Sequence, residues 1–117
     1  MKAIVNGTTW EADTTTASYN TASQIFNMRG NRKSTFYPSV QLIYTGPLVV
    51  GEYPLDPSSG YISNISSFVV FGSGFIKITS VDPQQKLVAG IFSFTCTDSS
   101  TGTAYTVSNG EFRLVSY

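Results

Sequence analysis

Apolar and polar side chains alternate with a period of two wherever the chain shows a legible pattern, which is the signature of a strand with one buried face. Ala3 and Val5 alternate with Lys2 and Ile4 up to Asn6-Gly7. That dipeptide suits a two-residue hairpin, because both turn positions need positive φ. Thr8 to Asp13 then returns as a strand, with Trp10 and Ala12 on one side and Thr9, Glu11 and Asp13 on the other. Between Ser18 and Arg29, Tyr19, Ala22, Ile25 and Phe26 fit one helical face, but the Thr and Asn residues there are poor helix formers. The segment is therefore predicted as one or two strands carrying Phe26 and Met28 inward, closed by a turn at Gly30-Asn31. Over Thr35 to Tyr44, Val40, Leu42 and Tyr44 share a face opposite Ser39 and Gln41, and Pro38 marks an edge or a strand start.

Gly46-Pro47 and Gly51 interrupt the next stretch, and Asp56-Pro57-Ser58-Ser59-Gly60 is a loop by composition. Ser67 to Phe71 reads as a short apolar strand that turns at Gly72-Ser73-Gly74 into Phe75 to Val81, where Ile76 and Ile78 alternate with Lys77 and Thr79. After a turn at Asp82-Pro83-Gln84-Gln85, Lys86 to Thr97 puts Val88, Phe92, Phe94 and Cys96 on one side, with Gly90 among them as a bulge or a close-packing point. Asp98 to Gly102 is a turn cluster. Ala104 to Ser108 and Glu111 to Tyr117 flank Asn109-Gly110, which predicts a second hairpin with Tyr105 and Val107 facing Phe112 and Leu114. About eight to ten short strands without a helix describe an all-β domain, an antiparallel β-sandwich or partly closed barrel.

Composition narrows the functional classes. A chain of 117 residues fits one domain, residues 1–117, able to bury a real core. Seven Lys and Arg balance seven Asp and Glu, so no dominant field draws the protein to nucleic acid or to an anionic membrane. The absence of histidine removes the commonest general base and the commonest nitrogen ligand for a transition metal. Cys96 is the single cysteine, so neither an intrachain disulfide nor a thiolate zinc cluster forms, and its apolar surroundings mark it as a small buried hydrophobe. The opening Met1 to Gly7 holds too short an apolar run for a signal peptide or a membrane span.

Val5 to Ala12, Gly51-Glu52-Tyr53-Pro54-Leu55, Tyr61, Ile76 to Thr79, Val88 to Phe94 and Ser108 to Phe112 occur in an order that resembles a family of small all-β domains of unknown function found in predicted lipoproteins of Bacteroidetes. The match spans nearly the whole chain, and its motifs are turn glycines, core aromatics and hairpins. The resemblance implies a β-sandwich-like domain exported to the periplasm or cell surface on an N-terminal lipidated Cys, with no established activity to carry over. Export is expected where Met1 replaces a trimmed leader, and a cytoplasmic protein where Met1 is the native start.

The chemistry available to such a chain is sparse. No catalytic residue and no cofactor is assigned. Lys77 and Lys86 have no Ser-x-x-Lys pattern around them and read as solvated lysines. Glu11, Glu52, Asp56 and Glu111 could supply a carboxylate pair, although seven acids in a small domain bring some pair together by chance. Asp56, Asp82 and Asp98 sit in turns that a cation could use, but a side chain opening its own turn explains each, and no metal site is assigned. Arg29, Arg32 and Lys33 cluster around Gly30-Asn31, where guanidinium groups clamp a phosphate or carboxylate or merely keep a hairpin tip soluble. Among the aromatics, Trp10, Tyr37, Tyr53, Tyr61 and Tyr105 include several beside Gly, Pro or Ser, suited to stacking on a sugar or anchoring a protein, or else to capping the core.

Trp10, Tyr37, Tyr53, Tyr61, Arg29 and Arg32 are the candidate binding residues. The expected function is a non-enzymatic extracytoplasmic module that presents loops or a sheet face to a glycan or protein partner, with membrane attachment only through a lipid anchor. The alternative is a carrier of a small apolar ligand, with an internal cavity lined by Phe26, Leu42, Phe92 and Phe94.

Overall fold

In a computed structural model, described over residues 1–32, 38–63 and 69–117, ten strands form two antiparallel sheets that face each other across one core. The strands are β1 (Lys2–Val5), β2 (Thr8–Glu11), β3 (Thr14–Asn20), β4 (Ile25–Asn31), β5 (Ser39–Thr45), β6 (Gly51–Pro54), β7 (Gly60–Ile62), β8 (Val69–Asp82), β9 (Leu87–Asp98) and β10 (Ala104–Ser116). One sheet has the order β2-β1-β10-β9-β8-β6 and the other β3-β4-β5-β7, so the chain crosses between sheets after β2, β5, β6 and β7. The sheets do not close into a barrel. The fold is the sandwich of the two expected alternatives.

Alternation explains which faces meet. On β9, Val88, Phe92, Phe94 and Cys96 point inward and none is more than 2% exposed, while Ile91, Thr95 and Thr97 face solvent. Phe26 and Met28 on β4 and Val40, Leu42 and Tyr44 on β5 supply the opposite wall, all with no exposure. The first hairpin closes at Asn6 and Gly7, whose φ of 48° and 82° supply the two left-handed positions between Val5 and Thr8.

Three predicted turns are instead part of continuous strands. Asn109-Gly110 does not reverse the chain: β10 runs on through it, paired with β9 on both sides, and the register shifts between Val107 and Gly110. Asn109 adopts φ 49°, and a left-handed residue serves a bulge as readily as a hairpin. Tyr105 and Val107 consequently oppose Cys96 and Phe94 rather than Phe112 and Leu114, and Leu114, at a second bulge, is exposed. Gly72-Ser73-Gly74 likewise lies inside the 14-residue β8, with a register shift between Phe71 and Ser73. Gly30-Asn31 is the end of β4. A methyl group on Gly30 would lie 2.8 Å from Met1 Sδ and 2.9 Å from Trp10 Cη2, so this glycine lets the β1–β2 hairpin pack onto the second sheet. The strands are also not uniformly short, and β6 and β7, of four and three residues, lie in stretches read from composition as punctuation and loop.

Candidate functional site

The hairpin at Asn6-Gly7 gathers polar and aromatic groups at one end of the sandwich. Asn6 uses its whole side chain to fix that end: Nδ2 donates to Ala104 O at 2.9 Å and Oδ1 accepts from Thr106 N at 2.7 Å. With β1 and β2 tied to the start of β10 in this way, Trp10 on β2, Tyr61 on β7 and Tyr105 on β10 converge. The Tyr61 and Tyr105 rings stand 4.9 Å apart at 50°, and Trp10 Nε1 donates to Pro38 O at 3.2 Å. Arg32, one residue past β4, comes to the same place with its Nε 3.5 Å from Asp13 Oδ2. These side chains, with Thr8 and Thr9, line a cleft of about 320 Å³.

Three of the six candidate binding residues therefore meet in one cleft, and Tyr105 joins them. Trp10 and Tyr61 are only 4% and 9% exposed, so they form its floor, while Arg32 is exposed and Tyr105 half-buried. Arg29 is elsewhere. It lies on the outer face of β4, where its Nε donates to Asn31 Oδ1 at 2.9 Å and its guanidinium to Ser39 Oγ at 3.2 Å. There it borders a shallow polar depression with Thr16, Asn27 and Gln41. Neither reading that placed Arg29 and Arg32 around a hairpin tip, as an oxyanion clamp or as a solubilising tip, holds there, because Gly30 and Asn31 are strand. Tyr37 and Lys33 lie outside the described residues.

Tyr53 belongs to the opposite end. It stacks on Tyr44 with ring centroids 4.7 Å apart and an interplanar angle of 11°. Its hydroxyl donates to Val49 O, while Tyr44 and Tyr19 donate to Pro47 O and Gly46 O. Three tyrosine hydroxyls thus hold the 46–50 loop and leave Val49 and Val50 52% and 64% exposed. This brace was not anticipated, although apolar residues held between Gly46-Pro47 and Gly51 were its available signal.

Four of the acidic candidates, Glu111, Asp56, Asp82 and Asp98, have structural partners. Glu11 and Glu111 border one depression, but Lys2 sits between them in register and its Nζ lies 3.2 Å from Glu111 Oε1, with Arg113 Nε 3.6 Å from the same oxygen. Asp56, Asp82 and Asp98 each accept backbone N–H bonds two or three residues on, capping their own turns. Among the described residues no three His, Cys, Asp or Glu side chains come together as a metal site.

A family model described as a domain of unknown function, DUF6252, matches residues 1–116. The chain belongs to that family. No curated protein and no solved structure matches it. Membership in DUF6252 extends over both ends of the sandwich, so the cleft and the braced loop are parts of one family domain.

Burial also governs titratable groups in the cleft, in the core and at the opposite end of the sandwich. It pushes the Tyr61 hydroxyl up, with Tyr105 and Cys96 adding to the rise and Arg32 opposing it. Burial likewise raises the Cys96 thiol and, helped by Tyr53 and Tyr19, raises Tyr44 well above the usual phenol range. The folded state favours the neutral form of all three. Their contribution to stability is therefore complete below the ordinary thiol and phenol values, near 9 and 10, and declines as pH rises past them, because only the unfolded chain ionises freely. Urea midpoints are expected to fall between about pH 7.5 and about pH 10.5, and to fall less in Cys96→Ala and Tyr44→Phe. A midpoint that is flat across this range, or one equally pH-sensitive in both variants, contradicts the assignment.

Proposed function

We propose that this domain is a non-enzymatic recognition module and that its cleft at the Asn6-Gly7 end binds a glycan. What carries the reading is the convergence of Trp10, Tyr61, Tyr105 and Arg32, from four separate segments, around one cleft. A sugar presents apolar C–H faces that stack on aromatic rings, and hydroxyls that accept from a guanidinium and exchange hydrogen bonds with Thr side chains. The volume sits at the small end of ligand sites, suited to one or two sugar rings. A neutral protein without a dominant field fits an uncharged ligand better than a polyanion.

The side chains that would have lined a carrier's cavity pack instead on their neighbours. Phe26, Leu42, Phe92 and Phe94 are at most 2% exposed and belong to one core cluster, which supports a surface site over an enclosed one.

A glycan array followed by calorimetry on the best ligand tests the reading. Arg32→Ala and Tyr105→Ala are each expected to weaken binding at least about tenfold, which is about 1.4 kcal/mol, while Arg29→Ala on the outer face leaves it unchanged. No glycan bound, or equal loss in all three variants, contradicts it. The reading includes an extracytoplasmic address on a lipid anchor, as the lipoprotein resemblance implies. A gene whose start lies upstream of Met1 and encodes an apolar leader ending in a Cys supports that address; native initiation at Met1 with cytoplasmic fractionation contradicts it.

A further inference from the structure

The four edges of the two sheets are β2, β6, β3 and β7, and they are not equivalent. β2 and β6 have four residues each and carry Glu11 and Glu52, with Pro54 also on β6, while β7 has three. Short length, charge and proline are the usual means of keeping a sheet edge from recruiting another strand. β3 has none of them. It is seven residues long, Thr-Thr-Thr-Ala-Ser-Tyr-Asn, uncharged, and paired with β4 over its full length without a bulge.

The hydrogen-bond alternation identifies which backbone groups this edge presents. Gly46 N donates to Gln24 O at 2.8 Å, in line with the Ile25–Thr45 register, so Phe26–Tyr44, Met28–Leu42 and Gly30–Val40 are the bonded pairs between β4 and β5. Odd-numbered residues of β4 must then bond β3, through Thr14, Thr16, Ser18 and Asn20. The N–H and C=O groups of Thr15, Ala17 and Tyr19 are left pointing away from the sheet, and β4 is the only strand paired with β3 among the described residues. Three consecutive donor–acceptor sets in a regular strand form a ready template for one more strand.

We propose that β3 pairs antiparallel with β3 of a second copy of this chain, about a two-fold axis at Ala17. That axis sets Thr15 opposite Tyr19, Thr16 opposite Ser18 and Thr14 opposite Asn20, forming about six backbone hydrogen bonds and joining two four-stranded sheets into one. The sequence of β3 favours its own copy as the occupant: no charged residue meets a like charge in this register, and a neutral Thr- and Ser-rich strand offers a charged peptide nothing to pair with. The edge is only about 23 Å long, so the contact is smaller than a standard protein interface and the dimer forms in the upper micromolar range.

Sedimentation velocity of the purified domain from about 10 µM to about 1 mM tests this, with a reversible dimer expected at the high end. Ala17→Pro removes an outward N–H that β4 does not use, so it is expected to fold, checked by circular dichroism, and to stay monomeric at every concentration. Thr16→Lys with Ser18→Lys sets like charges across the axis and is expected to abolish the dimer, whereas Thr16→Lys with Ser18→Glu sets opposite charges there and is expected to retain it. A monomer throughout the range overturns the proposal, as does a dimer indifferent to Ala17→Pro and to the charge arrangement.

Discussion

Phe92 and Phe112 stand on the adjacent strands β9 and β10, and each ring lies over the glycine directly opposite on the neighbouring strand. Gly110 opposes Phe92 and Gly90 opposes Phe112. A methyl on Gly110 would come within 2.6 Å of the Phe92 ring, and one on Gly90 within 2.7 Å of Phe112 Cζ as well as against Lys77 O. The two rings, 6.4 Å apart, therefore cover backbone that any side chain would hold away. Gly74, opposite Phe94, is a different case: there the β8 and β9 backbones themselves approach, and a methyl would meet Phe94 Cβ and Ser93 O rather than a ring. Glycine normally weakens a strand, and here the aromatic cover offsets that cost while bringing full burial of large rings, each worth roughly 1.5–3 kcal/mol.

The ladder sits within long strands, β8, β9 and β10 having 12 to 14 residues, and that length gives the sandwich two well-separated ends. At one end, Asn6 ties the first hairpin to β10 and brings Trp10, Tyr61, Tyr105 and Arg32 around a cleft. At the other, three tyrosine hydroxyls hold the 46–50 loop with its valines outward. Both ends are loops and strand tips on a stiff platform, the usual place for recognition in such folds. The bulges at Asn109 and Leu114 belong to the same design, since each bends β10 without interrupting its pairing with β9.

Much of the strand pattern was legible because a period of two is a direct consequence of burying one face. Phe26, Met28, Val40, Leu42, Val88, Phe92 and Phe94 all proved to be core for that reason. The glycine-containing segments were harder to read. Asn6 and Asn109 are both left-handed, but of the glycines that follow them only Gly7 is, so Asn6-Gly7 reverses the chain while Asn109-Gly110 bulges it; the flanking residues pair with each other in the first case and with a third strand in the second. Gly30, Gly72 and Gly74 carry no local sign of the side chains and backbone that approach them from other strands. Of the candidate site, Trp10, Tyr61 and Arg32 came together from β2, β7 and the end of β4, a convergence that depends on sheet order and is invisible in spacing along the chain. Arg29 and Arg32 failed to meet because a strand, not a turn, lies between them.

The Phe–Gly ladder is tested most directly by the sign of one substitution. In an unobstructed strand, Gly→Ala stabilises by about 0.5–1 kcal/mol, because alanine has less conformational freedom to lose. With Phe92 lying over Gly110, Gly110→Ala is expected to destabilise the domain by about 2–3 kcal/mol in urea unfolding, and to cost far less beside Phe92→Leu, a coupling of at least about 1 kcal/mol. A neutral or stabilising Gly110→Ala, or a cost unchanged by Phe92→Leu, would contradict it.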